Sequence, residues 1–391
     1  MKTVFKFFGI AGACTLGTLA ALHIYNSVQA SQALSYIGTP KSAGIIQAES
    51  TGPQGTGVDF RAASKKILQS VVSIDASGKV ENVWGETFVR AFGSGTGVVI
   101  SSKGHIITNN HVISNPNNGG LAEFVKVHLA NGDVAAGKVI GNDPRSDLAV
   151  IKVDRTDLVP VEFGSIKTLE VGQWVIAAGS PLGYDNTVSV GVISSLGRAV
   201  DLSEAGAAQR GGAPFLVNAI QTDAAINPGN SGGALCDTAG NLVGINTVIA
   251  TNTGTNVGIG FAIPVDRVQR VANDIIQYGR VRYGVLGIVE DQFPGRLKYE
   301  NVRNEIKGMV GAAPPEDGII IVQVAPDSPA AKIGMERLSI LVQIDNMPIK
   351  LPIDLRKALA DKSPGETIQV KYWKKGKIVT SPATLQELAN N

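Results

Sequence analysis

One serine in the sequence lies in a glycine-rich stretch that could support nucleophilic chemistry. Ser231 belongs to 226-INPGNSGGALC-236, with glycines two residues before it, directly after it and two residues after it. The same pattern fits a tight turn between two strands, because Gly and Pro punctuate all-β proteins without taking part in any reaction. It also fits the G-x-S-x-G spacing of an α/β-hydrolase nucleophile elbow. Residues elsewhere in the chain have to separate these three interpretations.

The histidines separate them, since a serine nucleophile needs a base and the base needs an orienting acid. The chain contains His23, His105, His111 and His128. All of them precede Ser231, which excludes the α/β-hydrolase order of serine, acid and histidine. His111 follows a strand in 104-GHIITNNHVI-113 at the point where a turn begins, so its ring can face a cleft. His23 belongs to an N-terminal apolar segment, and the other two fit structural positions in strands.

Asp147 is the acid that fits this histidine. It begins the apolar segment 147-DLAVIKV-153, where a lone carboxylate is often only a turn residue or a cap. The chain order His111, Asp147, Ser231 is, however, that of chymotrypsin-like double-barrel proteases. Gly229 allows the sharp backbone that would aim the N–H groups of Gly229 and Ser231 at one point, as an oxyanion hole requires. We therefore expect acyl-transfer chemistry, with Ser231 as nucleophile, His111 as general base and Asp147 as orienting acid.

The segments around these residues predict a β-rich protein of two parts. Between about residues 61 and 264, short apolar stretches alternate with turns, and Asn131-Gly132 is a strong hairpin signal. The absence of a long helical period there favours a barrel or sandwich over an α/β sheet. A helical period begins at 264-PVDRVQRVANDIIQYG-279, which we expect to end the first domain. The second part is expected to contain strands at 318–325, 338–345 and 367–373 and short helices at 328–334 and 352–361.

Five segments resemble the HtrA/Deg family of serine proteases and recur in that family's order. They are 104-GHIITNNHVIS-114, 146-SDLAVIKV-153, 177-AAGSPLG-183, 221-QTDAAINPGNSGGAL-235 and 256-NVGIGFAIP-264. The resemblance covers about residues 60–385. It implies a mainly β fold, in which a chymotrypsin/trypsin-like double β-barrel is followed by a smaller α+β PDZ domain. It also implies the triad roles of His111, Asp147 and Ser231, and assembly as a homotrimer.

Substrate selection is expected to depend on a modest apolar S1 pocket. The segment before Ser231 and the loop 244–260 should build it, and the candidate lining residues are Ile226, Ile245 and Val248. That loop contains no acidic residue, which argues against a trypsin-like preference for Arg or Lys. The resemblance implies cleavage of unfolded protein after small aliphatic or β-branched residues.

Arg198 is the candidate for a regulatory residue. It matches an arginine that the resemblance implies to be a sensor, in an activation loop expected after the strand 187–198. A solvated arginine on a mobile segment is the alternative. The stretch 199–214 is polar and rich in Gly and Ala, which is consistent with a mobile loop.

The segment 283-YGVLGI-288 resembles a PDZ carboxylate-binding loop. The candidate residues are Val285, Leu286, Gly287 and Ile288. Backbone N–H groups of this loop would receive a peptide C-terminus, and the peptide would add as a strand. One departure from the family is Leu338-Ser339, where a Gly-Asp turn is usual. Because glycine adopts positive φ readily, its loss predicts a different local turn and leaves peptide affinity open.

Residues 1–30 are predicted to be a targeting element. Lys2 and Lys6 precede a mainly apolar run over residues 7–25, and residues 28–30 fit a signal-peptidase site. The run is also close to the length that spans a bilayer, so a cleaved signal peptide and a retained inner-membrane anchor both remain open. Either places the remainder outside the cytoplasm, in a bacterial periplasm. We assign residues 31–57 to a flexible linker, 58–279 to a trypsin-like protease domain and 281–386 to a PDZ domain.

Composition argues against several other functions. Lys2 and Lys6 are the only charged residues of the targeting element, so the remainder carries equal numbers of basic and acidic groups. No basic surface is therefore expected to attract nucleic acid. The cysteines, Cys14 and Cys236, form no metal-binding cluster, Cys236 is expected in the core, and neither a metal nor another cofactor is expected.

These features together predict an extracytoplasmic serine endopeptidase of protein quality control that hydrolyses misfolded or unfolded proteins. One alternative is a non-proteolytic or latent PDZ-containing chaperone or scaffold. Another is a regulatory stress-sensing protease with few substrates. All three triad candidates are present, so the sequence carries no mark of an inactive enzyme.

Overall fold

The structure, a computed structural model, describes residues 58–81, 84–116, 119–180, 186–201, 215–247 and 258–388. The targeting element and linker expected at 1–57 lie outside the described residues. So do the candidate pocket residue Val248 and most of the loop expected at 199–214. No helix within the described ranges is long and apolar enough to cross a membrane.

The first six described strands form a closed antiparallel barrel. They are β1 (Val71–Glu81), β2 (Thr87–Ser101), β3 (His105–Thr108), β4 (Phe124–His128), β5 (Val134–Asp143) and β6 (Leu148–Val153). Their order around the barrel is β1-β2-β3-β6-β5-β4. The barrel closes because β1 also pairs with β4, where Ser73 lies opposite His128. Buried side chains such as Ile74, Ile106 and Val127 fill its interior.

The next six described strands form a second closed barrel. They are β7 (Trp174–Gly179), β8 (Thr187–Asp201), β9 (Phe215–Thr222), β10 (Ala234–Cys236), β11 (Leu242–Thr247) and β12 (Gly260–Pro264). Their order is β10-β11-β12-β9-β8-β7, and β10 closes the ring by pairing with β7. Val175, Ile193 and Ile220 belong to its interior.

Three described α-helices accompany the barrels: α1 (Arg61–Leu68), α2 (Asn110–Ile113) and α3 (Val265–Tyr278). The helix α3 corresponds to the one predicted from the sequence, and it ends at Gly279, whose φ is 71° and whose N–H donates to the carbonyl of Ile275. Its buried face, including Val268 and Ile275, belongs to one hydrophobic core with residues of both barrels. The predicted double β-barrel is confirmed, and the shared core fixes the barrels against each other.

The remaining described residues form a smaller α+β unit. Its strands are β13 (Gly284–Val285), β14 (Ile288–Glu290), β15 (Ile319–Val324), β16 (Ile340–Ile344), β17 (Met347–Pro348), β18 (Thr367–Lys374), β19 (Lys377–Thr384) and β20 (Gln386–Glu387), and its helices are α4 (Glu300–Val310), α5 (Pro329–Lys332) and α6 (Pro352–Leu359). The main sheet has the order β14-β15-β16-β18-β19, so β14 is an edge strand. A separate core around Leu341, Ile368 and Tyr372 supports this unit.

The sequence predicted an altered turn at Leu338-Ser339, and the structure does not show one. Leu338 itself has a φ of 69°, so the turn keeps the left-handed conformation that glycine would have adopted. This conformation costs a leucine about 1 kcal/mol. The N–H of Leu338 donates to the carbonyl of Ile321 at 2.8 Å, and its side chain packs against the cluster that contains Ile340. The bond and the packing hold the leucine in place.

Candidate active site

His111 and Asp147 form a hydrogen-bonded pair at the boundary of the first barrel. His111 lies in α2, directly after β3, and Asp147 lies in the turn between β5 and β6. Nδ1 of His111 is 2.8 Å from Oδ2 of Asp147 and 3.1 Å from Oδ1. The backbone N–H of His111 also donates to Oδ1, at 3.0 Å. A carboxylate at Nδ1 favours the tautomer in which Nε2 can accept a proton.

Asp147 is held by groups on three sides. Its side chain is buried, and its φ of 55° is the left-handed conformation that Asp tolerates better than most residues. The backbone N–H of Asn110 and the side-chain amide of Asn109 donate to its carbonyl, at 3.1 and 2.9 Å. From the second barrel, the hydroxyl of Thr247 donates to Oδ2 at 3.1 Å. The bonds to its carbonyl fix the backbone of Asp147, and those from Thr247 and His111 satisfy a buried carboxylate that would otherwise be costly.

Thr247 is a site residue that sequence reasoning missed. It is the last residue of β11, which carries no polar pattern that would single it out. Its contact with Asp147 depends on how the two barrels pack, and only the structure gives that arrangement.

Ser231 follows a tight turn over residues 227–230. The N–H of Asn230 donates to the carbonyl of Asn227 at 2.9 Å, and Gly229 has a φ of 100°. Pro at the second position and a positive φ at the third are the features of a type II turn. An alanine at Gly229 would therefore strain the turn.

Strand β2 anchors this turn through Thr96. The hydroxyl of Thr96 donates to the carbonyl of Gly229 at 2.5 Å, and its N–H donates to the carbonyl of Ser231 at 2.8 Å. The same hydroxyl accepts from the N–H of Ser180 at 2.8 Å. One threonine of the first barrel thus fixes both the turn and the serine backbone.

Gly232 brings the serine turn against the segment that leads to His111. Its φ is 81°, and a Cβ at this position would lie 2.1 Å from the carbonyl oxygen of Thr96 and 2.4 Å from Oγ1 of Thr108. A side chain would therefore separate the turn from β3, at whose end the histidine segment begins. The structure thus brings together the chain segments of all three triad candidates.

The two N–H groups expected to form an oxyanion hole are those of Gly229 and Ser231. Among the described residues, neither donates a hydrogen bond. Asn230, between them, is buried and turned away, since its Oδ1 accepts from the hydroxyl of Thr187 at 3.1 Å.

The two candidate S1 residues that the structure describes, Ile226 and Ile245, lie in different hydrophobic clusters. Ile226 is nearly buried within the second barrel, and Gly260 packs directly against it, since a Cβ there would lie 2.8 Å from its Cδ1. Ile245 is fully buried in the core that the barrels share, so the prediction that it lines an open pocket is wrong. Ile245 and Thr247 share one face of β11 because side chains alternate along a strand, and that face lies between the barrels.

Arg198 lies in a strand rather than in a loop after one. The strand β8 extends to Asp201, and Arg198 is exposed and lies opposite Ala219 of β9. The pairing is interrupted by register shifts on both sides of Arg198. Such irregularities break the alternating pattern by which a strand is recognised in a sequence.

The other titratable candidates have structural partners. Nδ1 of His105 lies 2.8 Å from the hydroxyl oxygen of Ser101, and burial, with smaller contributions from nearby lysines, lowers the pKa of His105. Nε2 of His128 lies 2.9 Å from Oδ2 of Asp75. Burial also raises the pKa of the Cys236 thiol far above its usual range, which agrees with the core position expected for it.

The loop 283–288 has its carbonyl groups turned into the smaller unit. The carbonyl of Leu286 accepts from the N–H of Ala330 at 3.0 Å, and that of Gly287 accepts from the N–H of Ala325 at 2.8 Å. In a trans peptide the following N–H points the opposite way. The N–H groups of Gly287 and Ile288 therefore point away from these partners. Val285 pairs with Gln386 at the start of the loop.

Comparison with known proteins agrees with this two-part architecture. Residues 95–245 match the family described as a trypsin-like peptidase domain, and residues 299–385 match the PDZ domain family. The chain is similar to a putative serine protease, HhoB, of Synechocystis sp., with 39% identity over 79% of this chain and 74% of HhoB. It is 36% identical to the periplasmic serine endoprotease DegP of Salmonella typhimurium, over 75% of this chain. The match spans only 57% of that DegP.

A solved structure also matches the fold of this chain. The HtrA-type protease AlgW, determined with a decapeptide, matches with a TM-score of 0.64 and 30% identity. The match covers 85% of this chain and 100% of the AlgW chain.

Proposed function

The chain belongs to the HtrA family of serine endoproteases, with a trypsin-like peptidase domain and a PDZ domain, and we propose that it hydrolyses peptide bonds with His111, Asp147 and Ser231. The observation that carries this proposal is the two-point contact of Asp147 with the Nδ1 and the backbone N–H of His111. Ser231 Oγ attacks the scissile carbonyl while Nε2 of His111 takes its proton and later gives it to the leaving amine. Asp147 stabilises the imidazolium that forms between these steps.

The proposed oxyanion hole consists of the N–H groups of Gly229 and Ser231. The type II turn and the anchoring of the Gly229 carbonyl by Thr96 support it, because they hold both donors in place before the substrate arrives. One such donor is worth about 3 kcal/mol of transition-state stabilisation.

We propose unfolded or misfolded protein in a bacterial periplasm as the substrate class, cleaved after small aliphatic or β-branched residues. Relatives named periplasmic endoproteases support the compartment, and the apolar Ile226 before Ser231 supports the preference. A homotrimer, and a signal or anchor at 1–30, are parts of the proposal that rest on the resemblance alone.

The smaller unit is proposed to bind peptide C-termini through the N–H groups of the loop 285–288. The inward carbonyl groups of Leu286 and Gly287 and the open edge of β14 support this role. AlgW, a relative of the same architecture, was determined with a decapeptide. The separate hydrophobic cores support domain limits of 58–279 and 281–386, with 31–57 as linker.

Degradation of casein by the full chain and by Ser231→Ala tests the proposal. Loss of degradation in the variant, with an unchanged unfolding temperature, is the expected result. Equal degradation by both would remove Ser231 from the mechanism. No degradation by either, even with C-terminal peptides added, would favour the chaperone or scaffold alternative.

A further inference from the structure

A cavity of about 600 Å³ lies where the loop 283–288 and α6 meet the peptidase domain. This volume is in the range of pockets that hold small ligands and peptide ends. The PDZ side includes Val285, Ile288, Leu355 and Leu359, and the peptidase side includes Arg145, Phe215 and Val217. A ligand in the cavity would therefore contact both domains.

The PDZ side has the form of a peptide groove. Among the described strands, β14 pairs with β15 alone, and its residues Ile288 and Glu290 line this cavity. An extended chain can add to such an edge, with an apolar last residue against Ile288, Leu355 and Leu359. This step rests on the peptide binding proposed above.

Two arginines give the cavity a charge preference. The guanidinium carbon of Arg145 lies 5.0 Å from the ring centroid of Tyr283, and that of Arg356 lies 4.5 Å from the ring centroid of Phe215. Neither forms an ion pair with a described carboxylate. A guanidinium stacked on a ring uses its face and keeps the N–H groups at its edge for an acceptor.

The other described charged groups of the cavity form no ion pair with Arg145 or Arg356. Arg267 also lines it, but Asp361 holds that guanidinium through bonds of 2.6 and 2.9 Å. Among the described lining residues, Glu290 is the one acid, and the buried Asp143 lies directly behind the lining, where it accepts from the hydroxyl groups of Tyr283 and Ser146 and from the backbone N–H of Arg145. An incoming peptide therefore meets two guanidinium groups, one from each domain, that no described carboxylate holds in an ion pair.

We propose that Arg145 and Arg356 form a subsite for an acidic side chain of the bound peptide. The cavity then selects C-termini with Asp or Glu a few residues before an apolar last residue. Arg145 is two residues from Asp147, so the subsite includes part of the turn that carries the proposed triad acid.

Fluorescence anisotropy with the full chain carrying Ser231→Ala, which prevents cleavage of the probes, measures this selectivity. Three labelled decapeptides ending in Val would differ only at the third and fourth residues from the C-terminus, as Asp-Glu, Asn-Gln or Lys-Lys. We expect the acidic peptide to bind about tenfold more tightly than the neutral one and the basic peptide to bind most weakly. The preference should decrease as salt is added.

Arg145→Gln and Arg356→Gln, each added to this background, locate the preference. Each should reduce the advantage of the acidic peptide to about twofold and leave the affinity for the neutral peptide unchanged. Arg337→Gln is the matched control, because Arg337 is exposed and outside the cavity. Equal reduction of both affinities would indicate a structural role and overturn the subsite.

Two experimental outcomes distinguish a failure of the proposed subsite from a failure of the proposed peptide binding by the PDZ domain. Equal binding of acidic and neutral peptides by the Ser231→Ala protein would overturn the subsite alone. Binding of none of the peptides, or equal binding of a C-terminally amidated peptide, would overturn the PDZ assignment and the subsite with it.

Discussion

Thr247 donates a hydrogen bond of 3.1 Å to Oδ2 of Asp147 and so joins the second barrel to the first. Oδ2 is also the oxygen closest to Nδ1 of His111, at 2.8 Å. The orientation of the imidazole therefore depends on the packing of the two barrels, through one carboxylate. A change at Thr247 should act on the reaction without any contact with the substrate.

Thr247→Val should lower kcat about tenfold and leave KM nearly unchanged. Valine has a similar shape but cannot donate, so Asp147 loses a partner and holds His111 less firmly. A loss of about 1.4 kcal/mol corresponds to this factor. Steady-state kinetics on a peptide substrate measures it, and Thr247→Ser, which keeps the hydroxyl, is the control. Full kcat in the valine variant would contradict the prediction.

Gly229→Ala should lower kcat by about 10² to 10³, the effect of losing one oxyanion-hole donor. Gly229 has a φ of 100°, so alanine forces the turn to move and misdirects its N–H. Gly172→Ala is a matched control, since Gly172 has a φ of 89° and open space around its Cβ position. It carries similar strain away from the site. Similar kcat values for the two variants, each checked for folding by thermal unfolding, would argue against the proposed hole.

The triad candidates could be identified from the sequence because few residues could fill each role. No histidine follows Ser231, and His111 is the histidine placed at the end of a strand. The pairing of Asp147 with His111 was predicted, but the hydrogen bond from Thr247 to Asp147 could not be. A threonine in an apolar strand such as β11 gives no indication of what lies opposite in another barrel.

Two other features of the structure could not be predicted because their local sequence signals are weak or ambiguous. Helix α4 was not predicted, although Val302, Ile306 and Val310 recur at four-residue intervals before Gly311 ends it. In a mainly polar segment of 11 residues, these three positions and the exposed Met309 are a weak signal. Ile245 was assigned to a pocket from its apolar character alone, which does not distinguish a pocket wall from a core.

Peptides with Val or Ile at P1 should be cut faster than peptides with Lys or Phe. The segment before Ser231 contributes the apolar Ile226, which is nearly buried against Gly260, so a large or charged side chain would fit poorly. Mass spectrometry of the products from an unfolded substrate measures the preference. A product profile dominated by cleavage after Lys or Phe would refute it.

Arg267→Met should reduce the free energy of unfolding by about 2 kcal/mol, as expected when a buried guanidinium loses its charge-assisted hydrogen bonds while its partner Asp361, whose side chain is 44% exposed, can still be solvated. Only 4% of the Arg267 side chain is exposed, and it also donates to the carbonyl of Val217 at 2.8 Å. Chemical denaturation measures the loss. Arg61→Met is the control, because the pair of Arg61 with Asp59 is exposed and its loss should leave the free energy of unfolding nearly unchanged.

The same ion pair should make stability depend on acid pH. Burial raises the pKa of Asp361, but the hydrogen bond and charge of Arg267 outweigh it, so the net pKa lies below its ordinary value of 3.8. A lowered pKa in the folded state stabilises the protein above the unfolded-state pKa, and this contribution is lost as the pH falls through the folded value. Asp361→Asn should therefore unfold at a lower temperature than wild type at pH 7, with a difference that shrinks below about pH 4. A difference that stays constant into strong acid would show that the asparagine acts through something other than the lost charge.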